Sequence, residues 1–139
     1  HPGWNIGGTL LLAKDIMIDG KKMPIVDHKK QLREILKVMN EKKLGIVVII
    51  KNKFIFGLLT DGDLRRGIKY FSKNQNLKKI INQKPFIVNE NMPASKALAI
   101  MSEKKITSLL VVSDKNFKQK NKILKGIIHI HTLLQNGIK

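Results

Sequence analysis

Apolar and polar positions alternate along this chain in a pattern that occurs twice. Residues 44–50 read Leu-Gly-Ile-Val-Val-Ile-Ile, a nearly continuous and mostly β-branched run. Such a run predicts a strand buried on both faces. Lys51-Asn52-Lys53 is a polar turn, and Phe54–Thr60 reads as the partner strand. A helix is predicted from Asp61 to about Ser72, with Leu64, Ile68 and Phe71 inward and Asp61 and Asp63 at its positive end. Upstream, Leu32, Ile35, Leu36 and Met39 fall at i, i+3, i+4 and i+7. They predict a helix over 29–43, with Asp27 as candidate N-cap. Pro24-Ile25-Val26 can form only a short extended segment, because proline lacks a ladder donor. Asp15-Ile16-Met17 is a short apolar turn, ended by Gly20-Lys21-Lys22.

The second half repeats this order. Residues 77–82 match the turn near Asp15, and Phe86-Ile87-Val88 match the short extended segment. Asn91 and Pro93 signal a helix start, and Ala97, Leu98 and Met101 form its apolar face. Strands are predicted over 106–112 and 123–128, joined by a Lys/Asn-rich loop. A last helix runs from His131 to about Gln135, with Gly137 at its C-terminal end. The second strand of each half carries a glycine, Gly57 and Gly126, 69 residues apart in a chain of 139. The fold class is α/β (α+β): two β-α-β-β-α repeats related by a pseudo-two-fold, with a ligand expected in the cleft between the copies.

Composition narrows the function classes. The chain is 42% hydrophobic and can bury a core, but a half of this size is marginal alone, so the halves are expected to share a core or pack tightly. There is no cysteine, which excludes disulfides and thiolate chemistry. No apolar run reaches membrane-spanning length and no signal-peptide pattern appears, so a cytoplasmic protein away from membranes is expected. The chain opens on His1, as a piece of a longer polypeptide would. The net charge is +17, yet only Arg33, Arg65 and Arg66 among the 27 basic residues are arginine, and the lysines are scattered. With few aromatic residues for stacking, the charge favours anionic ligands over a nucleic-acid partner.

Gly57, Thr60, Asp63 and Leu64 form Gly-x-x-Thr-x-x-Asp-Leu, following a strand and opening a helix. With the repeated element order, this resembles the CBS domain, a ligand-sensing module that usually occurs as a tandem pair. More closely, His1-Pro2-Gly3, Asp15-Ile16-Met17, Leu44-Gly45, residues 60–66 and residues 126–131 resemble the C-terminal region of arabinose 5-phosphate isomerases of Kdo biosynthesis and related sugar-phosphate isomerases. The resemblance spans the whole chain. It implies a linker over 1–13 from an absent sugar isomerase domain, a first CBS repeat over 14–76 and a second over 77–139. It places His1 at the isomerase junction, where it has no catalytic partners in this chain, so no enzyme activity is expected of the chain itself.

The resemblance further implies a nucleotide or nucleotide-sugar ligand, either CMP-Kdo or an adenine nucleotide. Asp63 would accept hydrogen bonds from the ribose hydroxyls, and the Thr60 hydroxyl with the helix-start N–H groups would meet phosphate. Ile25, Gly45 and Ile46 would line the first site, and Ile87, Thr107, Ser108 and His129 the second. The second copy departs from the pattern: His129 stands in Thr60's place and Thr132 in Asp63's, and a threonine cannot grip two hydroxyls as a carboxylate does. Arg65 and Arg66 suit a carboxylate or phosphate on the ligand. A homodimer of pairs is implied, within a tetrameric parent enzyme.

Other constellations fail. Asp61-Gly62-Asp63 lacks the further ligands of a calcium loop, and His129 and His131 have no acidic or cysteine neighbour in sequence, so no metal is expected. No P-loop or serine elbow occurs, and no cofactor is expected. Two other readings stand beside the sensing module: a purely structural dimerisation module, and a basic nucleic-acid-binding module.

Overall fold

The computed structural model describes residues 10–67 and 77–139. The chain divides into two compact units. One is continuous, Pro24–Pro85; the other is assembled from His1–Met23 and Phe86–Lys139.

In the continuous unit, β1 (Ile25–Asp27) runs parallel to β2 (Ile46–Lys51), and β2 pairs antiparallel with β3 (Phe54–Thr60). The Pro24 carbonyl accepts from Val48 N, so the proline contributes the one ladder group it has. Asn52 and Lys53 both take positive φ, the geometry of a two-residue hairpin turn whose twist matches the strands. The register slips between Ile49 and Ile50, which leaves Phe56 as an extra residue on β3. α2 (Leu32–Lys42) connects the parallel strands, and α3 (Asp61–Gly67) follows β3 directly. Val26, Ile35, Met39, Val47, Ile49, Leu59 and Ile81 form the core. Ile46, Val48 and Leu58 alternate with them and are buried too, so β2 is covered on both faces as its sequence predicts.

α2 begins later than its periodicity suggests. Asp27 is not its cap: the carboxylate accepts from Lys29 N two residues on, closing an Asx turn, and Gln31 takes the N-cap position. Leu36, expected inward, is exposed, and Val38 packs on the core instead. The predicted inward positions Ile68 and Phe71 lie outside the described residues.

The second unit repeats the frame. β4 (Ile87–Asn89) runs parallel to β5 (Ser108–Val112), and β5 pairs antiparallel with β6 (Gly126–His129). α4 (Ala94–Lys104) joins the parallel pair, with Pro93 at its N-cap position. The polar loop holds a helical turn the sequence did not suggest, α5 (Asp114–Phe117), capped by the Ser113 hydroxyl. Asn116 then closes the loop: its amide donates to Gln119 and to the Asn121 carbonyl and accepts from Ile123 N. α6 (Ile130–Gln135) ends at Gly137, with Gly137 N bonded to Leu134 O and Ile138 N to Leu133 O. That is a left-handed cap with its hydrophobic clasp, since Leu133 and Ile138 are both buried in the core.

The short segments ahead of each repeat are exchanged. α1 (Ala13–Ile16) belongs by sequence to the first repeat but packs in the core of the second, beside Val88, Ala97 and Ile128. Ile18 exchanges both backbone hydrogen bonds with Ile127, extending the β4–β6 sheet. Residues 77–85 do the same for the first repeat, where Asn82 exchanges both bonds with Leu58. The compact units therefore do not coincide with the sequence repeats. Among the described residues no helix is long and apolar enough to cross a membrane.

Glu90 ties the second unit together at the end of β4. Its carboxylate accepts from Lys125 Nζ and from Asp114 N, while Asn89 Nδ2 donates to Asp114 Oδ1. The Lys125 hydrogen bond, then that of Asp114 N, holds the Glu90 carboxyl below its usual range near 4.5. The folded state thus prefers the ionised form. Its contribution is complete above the unfolded value and is lost as pH falls through the lower folded one. Urea unfolding of Glu90→Gln between pH 3 and pH 7 is expected to show a shallower loss of stability with acid than the native chain. Identical pH slopes would show that this network does not set acid sensitivity.

Candidate functional site

The sequence-predicted ligand residues fall on one face of each sheet. In the first unit Ile46 pairs with Thr60, and Ile25 lies beside Val48. Alternation then places Ile25, Ile46 and Thr60 on the face opposite the core residues Val26, Val47 and Leu59. In the second unit Ile87 lies beside Leu110 and Ser108 pairs with His129, again opposite Val88, Leu109 and Ile128. Exposure varies along this face of the first unit: Ile25 is 39% exposed, whereas Ile46 is buried.

Gly45 and Thr60 meet where the β2–β3 ladder runs into α3. Asp61 N donates to the Gly45 carbonyl, which joins the strand start to the helix start. Gly45 has φ +70, with open space where a side chain would stand. Thr60 and Asp63 bond reciprocally: Asp63 N donates to Thr60 Oγ1 at 3.0 Å, and Thr60 N donates to Asp63 Oδ2 at 3.3 Å. This is a capping box, and it fixes both rotamers without consuming all their capacity. The Thr60 hydroxyl retains its proton, and each Asp63 oxygen retains a lone pair. The Asp63 side chain is 26% exposed. The arrangement offers a fixed carboxylate acceptor and a hydroxyl donor beside bare backbone, which suits a vicinal diol.

The arginines differ. Arg65 lies 3.6 Å from Asp61 with both side chains mostly exposed, an ion pair of little energetic weight. Arg66 Nη2 donates to Asp63 Oδ1 at 2.7 Å. Its guanidinium lies over Gly62, where a Cβ would stand 3.2 Å from Nη1. Sequence reasoning placed Arg66 toward a ligand; the structure pairs it with Asp63. The spacing of an acid and a base three apart on a helix was the available signal.

The second copy is built on the same backbone with different chemistry. Ile130 N donates to the Thr107 carbonyl, as Asp61 N does to Gly45. That registers Thr107 with Gly45, Ser108 with Ile46, His129 with Thr60 and Thr132 with Asp63. Thr107 is exposed. His129 is buried, and its Nδ1 accepts from His131 N at 3.2 Å, so the imidazole caps α6 as Thr60 caps α3. The ring of His131 stands 4.9 Å from that of His129. Ser108 Oγ is buried with no hydrogen-bond partner. No carboxylate stands at Thr132, so this copy lacks the diol acceptor. Among the described residues, no three His, Cys, Asp or Glu side chains gather as a metal site. His1 lies outside the described residues.

Comparison with known proteins bears on the repeat. The family model for the CBS domain matches residues 13–70 and again 77–138. An uncharacterized protein of Rickettsia prowazekii is 35% identical over 139 residues, covering 99% of this chain and 41% of that protein. The arabinose 5-phosphate isomerase KdsD of Yersinia pestis is 35% identical over 144 residues, with the same two coverages. The chain thus spans about two-fifths of the length of these relatives. Among solved structures, CBSX2 of Arabidopsis thaliana in complex with AMP superposes with a TM-score of 0.74 at 17% identity, covering 91% of this chain and 95% of that one. That likeness concerns the fold.

Proposed function

Because the chain belongs to the CBS domain family, as a tandem pair, we propose that it is the regulatory module of an arabinose 5-phosphate isomerase and senses a nucleotide or nucleotide-sugar. The carrying observation is the fixed Thr60–Asp63 pair beside the open Gly45 backbone. A carboxylate held by its own helix start accepts a diol without reorganising. The related pair CBSX2 holds AMP, which supports a nucleotide as ligand class. The KdsD relative supports a fused sugar-phosphate isomerase as the enzyme being tuned. CMP-Kdo, the nucleotide sugar downstream of arabinose 5-phosphate, is the concrete candidate, acting by feedback in the cytoplasm on a homodimeric arrangement of pairs. The first copy carries the site, with Ile25, Gly45, Ile46, Thr60 and Asp63. Ile87, Thr107, Ser108 and His129 of the second copy offer no equivalent grip on ribose.

Calorimetry with CMP-Kdo, CMP, AMP and ATP tests the reading. At least one is expected to bind the native chain. Asp63→Ala is expected to weaken that ligand by about tenfold to a hundredfold, the range for losing hydrogen bonds to a charged group. Absence of binding by all four to a folded sample overturns the sensing function.

A further inference from the structure

We propose that the loop joining β5 to β6, residues 113–125, is a docking surface for an anionic lipid bilayer. Three observations carry it. The first is an asymmetry between the copies. β2 and β3 turn on Asn52 and Lys53 alone, whereas β5 and β6 are joined by a long loop with its own helical turn, α5. The first copy closes the same strand pair without such a loop, so the sheet does not require it. The second is what the loop shows to solvent. Phe117 and Ile123 are 39% and 45% exposed, and Lys115, Lys118 and Lys120 are exposed on the same loop. Among the described residues none of these three lysines has an ion-pair partner. The loop carries five lysines and a single acid, Asp114, whose carboxylate accepts from Asn89 Nδ2. The third is its frame. Ser113 caps α5, the buried Asn116 side chain ties Gln119, Asn121 and Ile123 N, and Lys122 Nζ donates to the Phe117 carbonyl at 2.6 Å. None of these bonds uses the side chain of Phe117 or Ile123. The apolar pair thus stands exposed on a backbone fixed by other groups.

A bilayer with anionic headgroups meets both exposed features. Each lysine beside such a surface strengthens binding about fivefold. Phenylalanine and isoleucine suit the boundary between headgroups and acyl chains. All five basic residues of the loop are lysine. A point charge suits a fluid headgroup layer, whereas the arginine fork suits a fixed pair of oxygens. A nucleic acid fits less well: Phe117 is the one ring of the loop, and Lys122 Nζ already stands 5.6 Å from its centroid. The composition excludes a membrane span, but a surface contact needs only a few protruding side chains. The loop leaves β5 and β6 at their Val111–Gly126 end, opposite the Ser108–His129 pair. Docking there leaves the Ser108–His129 end of the sheet uncovered.

The test is sedimentation of the full chain with two kinds of vesicle, phosphatidylcholine alone and phosphatidylcholine with phosphatidylglycerol, at about 0.1 M salt. The net charge of +17 attracts any anionic surface, so the loop must be separated from the rest of the chain. The native chain is expected to bind only the anionic vesicles. Lys115→Gln, Lys118→Gln and Lys120→Gln together are expected to weaken that binding about a hundredfold. Lys30→Gln, Lys37→Gln and Lys96→Gln, the same loss of charge at other exposed positions, weaken it by less than about tenfold. Phe117→Ser with Ile123→Ser, at unchanged charge, weakens it by about tenfold. Each variant is compared at a urea midpoint equal to the native one; where Ile123→Ser shifts the midpoint, Phe117→Ser alone carries the apolar comparison. No binding by the native chain, equal losses in the two lysine sets, or no loss on removing the apolar side chains would overturn the proposal. Loop-dependent binding of a single-stranded oligonucleotide or of poly-glutamate, without binding to vesicles, would overturn it too and assign the surface to that partner.

Discussion

Gly57→Ala is expected to destabilise the protein by about 3 kcal/mol, the upper range for overpacking a closed core. An added Cβ would overlap Ile81 Cγ2 and come within 3.0 Å of the Asn82 carbonyl oxygen. Neither neighbour can yield. Ile81 is a core residue of the first unit, and its β-branched side chain has little rotamer freedom. Asn82 is held by two backbone hydrogen bonds to Leu58, the residue after the glycine. The equivalent Gly126→Ala is expected to cost about 1 kcal/mol, the lower end of the same range. Its Cβ would overlap Met17 Sδ and crowd Cγ and Cβ, so its three nearest neighbours all belong to that one side chain. Methionine is unbranched and adapts to irregular space. Urea unfolding of the two variants measures the contrast as a shift in midpoint at unchanged slope. Equal costs, or a larger cost at Gly126, would show that backbone approach does not decide the difference.

The largest effect is expected from cutting the chain at the sequence repeat. A fragment over 14–76 keeps Lys14–Ile16 of α1 but loses the core they pack in, made by Val88, Ala94, Ala97 and Ile128. It also loses Ile80 and Ile81 from the first core and the Asn82 partner of Leu58. A fragment over 24–85 keeps the whole of the first core, with Ile80 and Ile81, and the Leu58–Asn82 pair within one continuous stretch. The 14–76 fragment is therefore expected to give no cooperative thermal transition by circular dichroism, while 24–85 retains one. Both are near the size where a single core is marginal, so the comparison between them is the informative quantity. A cooperative transition in 14–76 equal to that of 24–85 would remove the exchanged segments from any role in stability.

The frame of the fold was legible because its strands are runs of Ile, Val and Leu between polar turns, a signal set by burial on both faces. The repeat presents each strand pattern twice, and the CBS family match follows the same two copies. Edges were less legible, for local reasons. Asp27 carries the chemistry of a helix cap, but a nearer N–H, that of Lys29, takes its oxygen. Ser113 and Asp114 carried a cap signal for α5, but it sat inside a Lys/Asn-rich stretch that reads as loop. The exchange of segments left no mark in side-chain pattern, since Ile18–Ile127 and Leu58–Asn82 are lone backbone bridges. Of the candidate site, the Thr60–Asp63 spacing was readable, and so was the loss of its counterpart at His129 and Thr132. The clasp of Arg66 on Asp63 was hidden by a second plausible partner, the ligand itself. The unpartnered hydroxyl of Ser108 was hidden by its place at the head of an apolar run.

The exchanged segments also impose an order in time. The unit Pro24–Pro85 is finished once its last residue has left the ribosome, and every contact of its core is then available. The other unit holds its first helix, α1, in waiting while the whole of its neighbour is made, and it closes only when β6 arrives near the C-terminus. Pairings so distant in sequence form late, because the intervening chain must be ordered before they can repay its entropy. The first copy, with Thr60 and Asp63, would thus be assembled while the apolar residues of α1 still stand uncovered. The later unit would thus close around α1 only after the first copy has already been built.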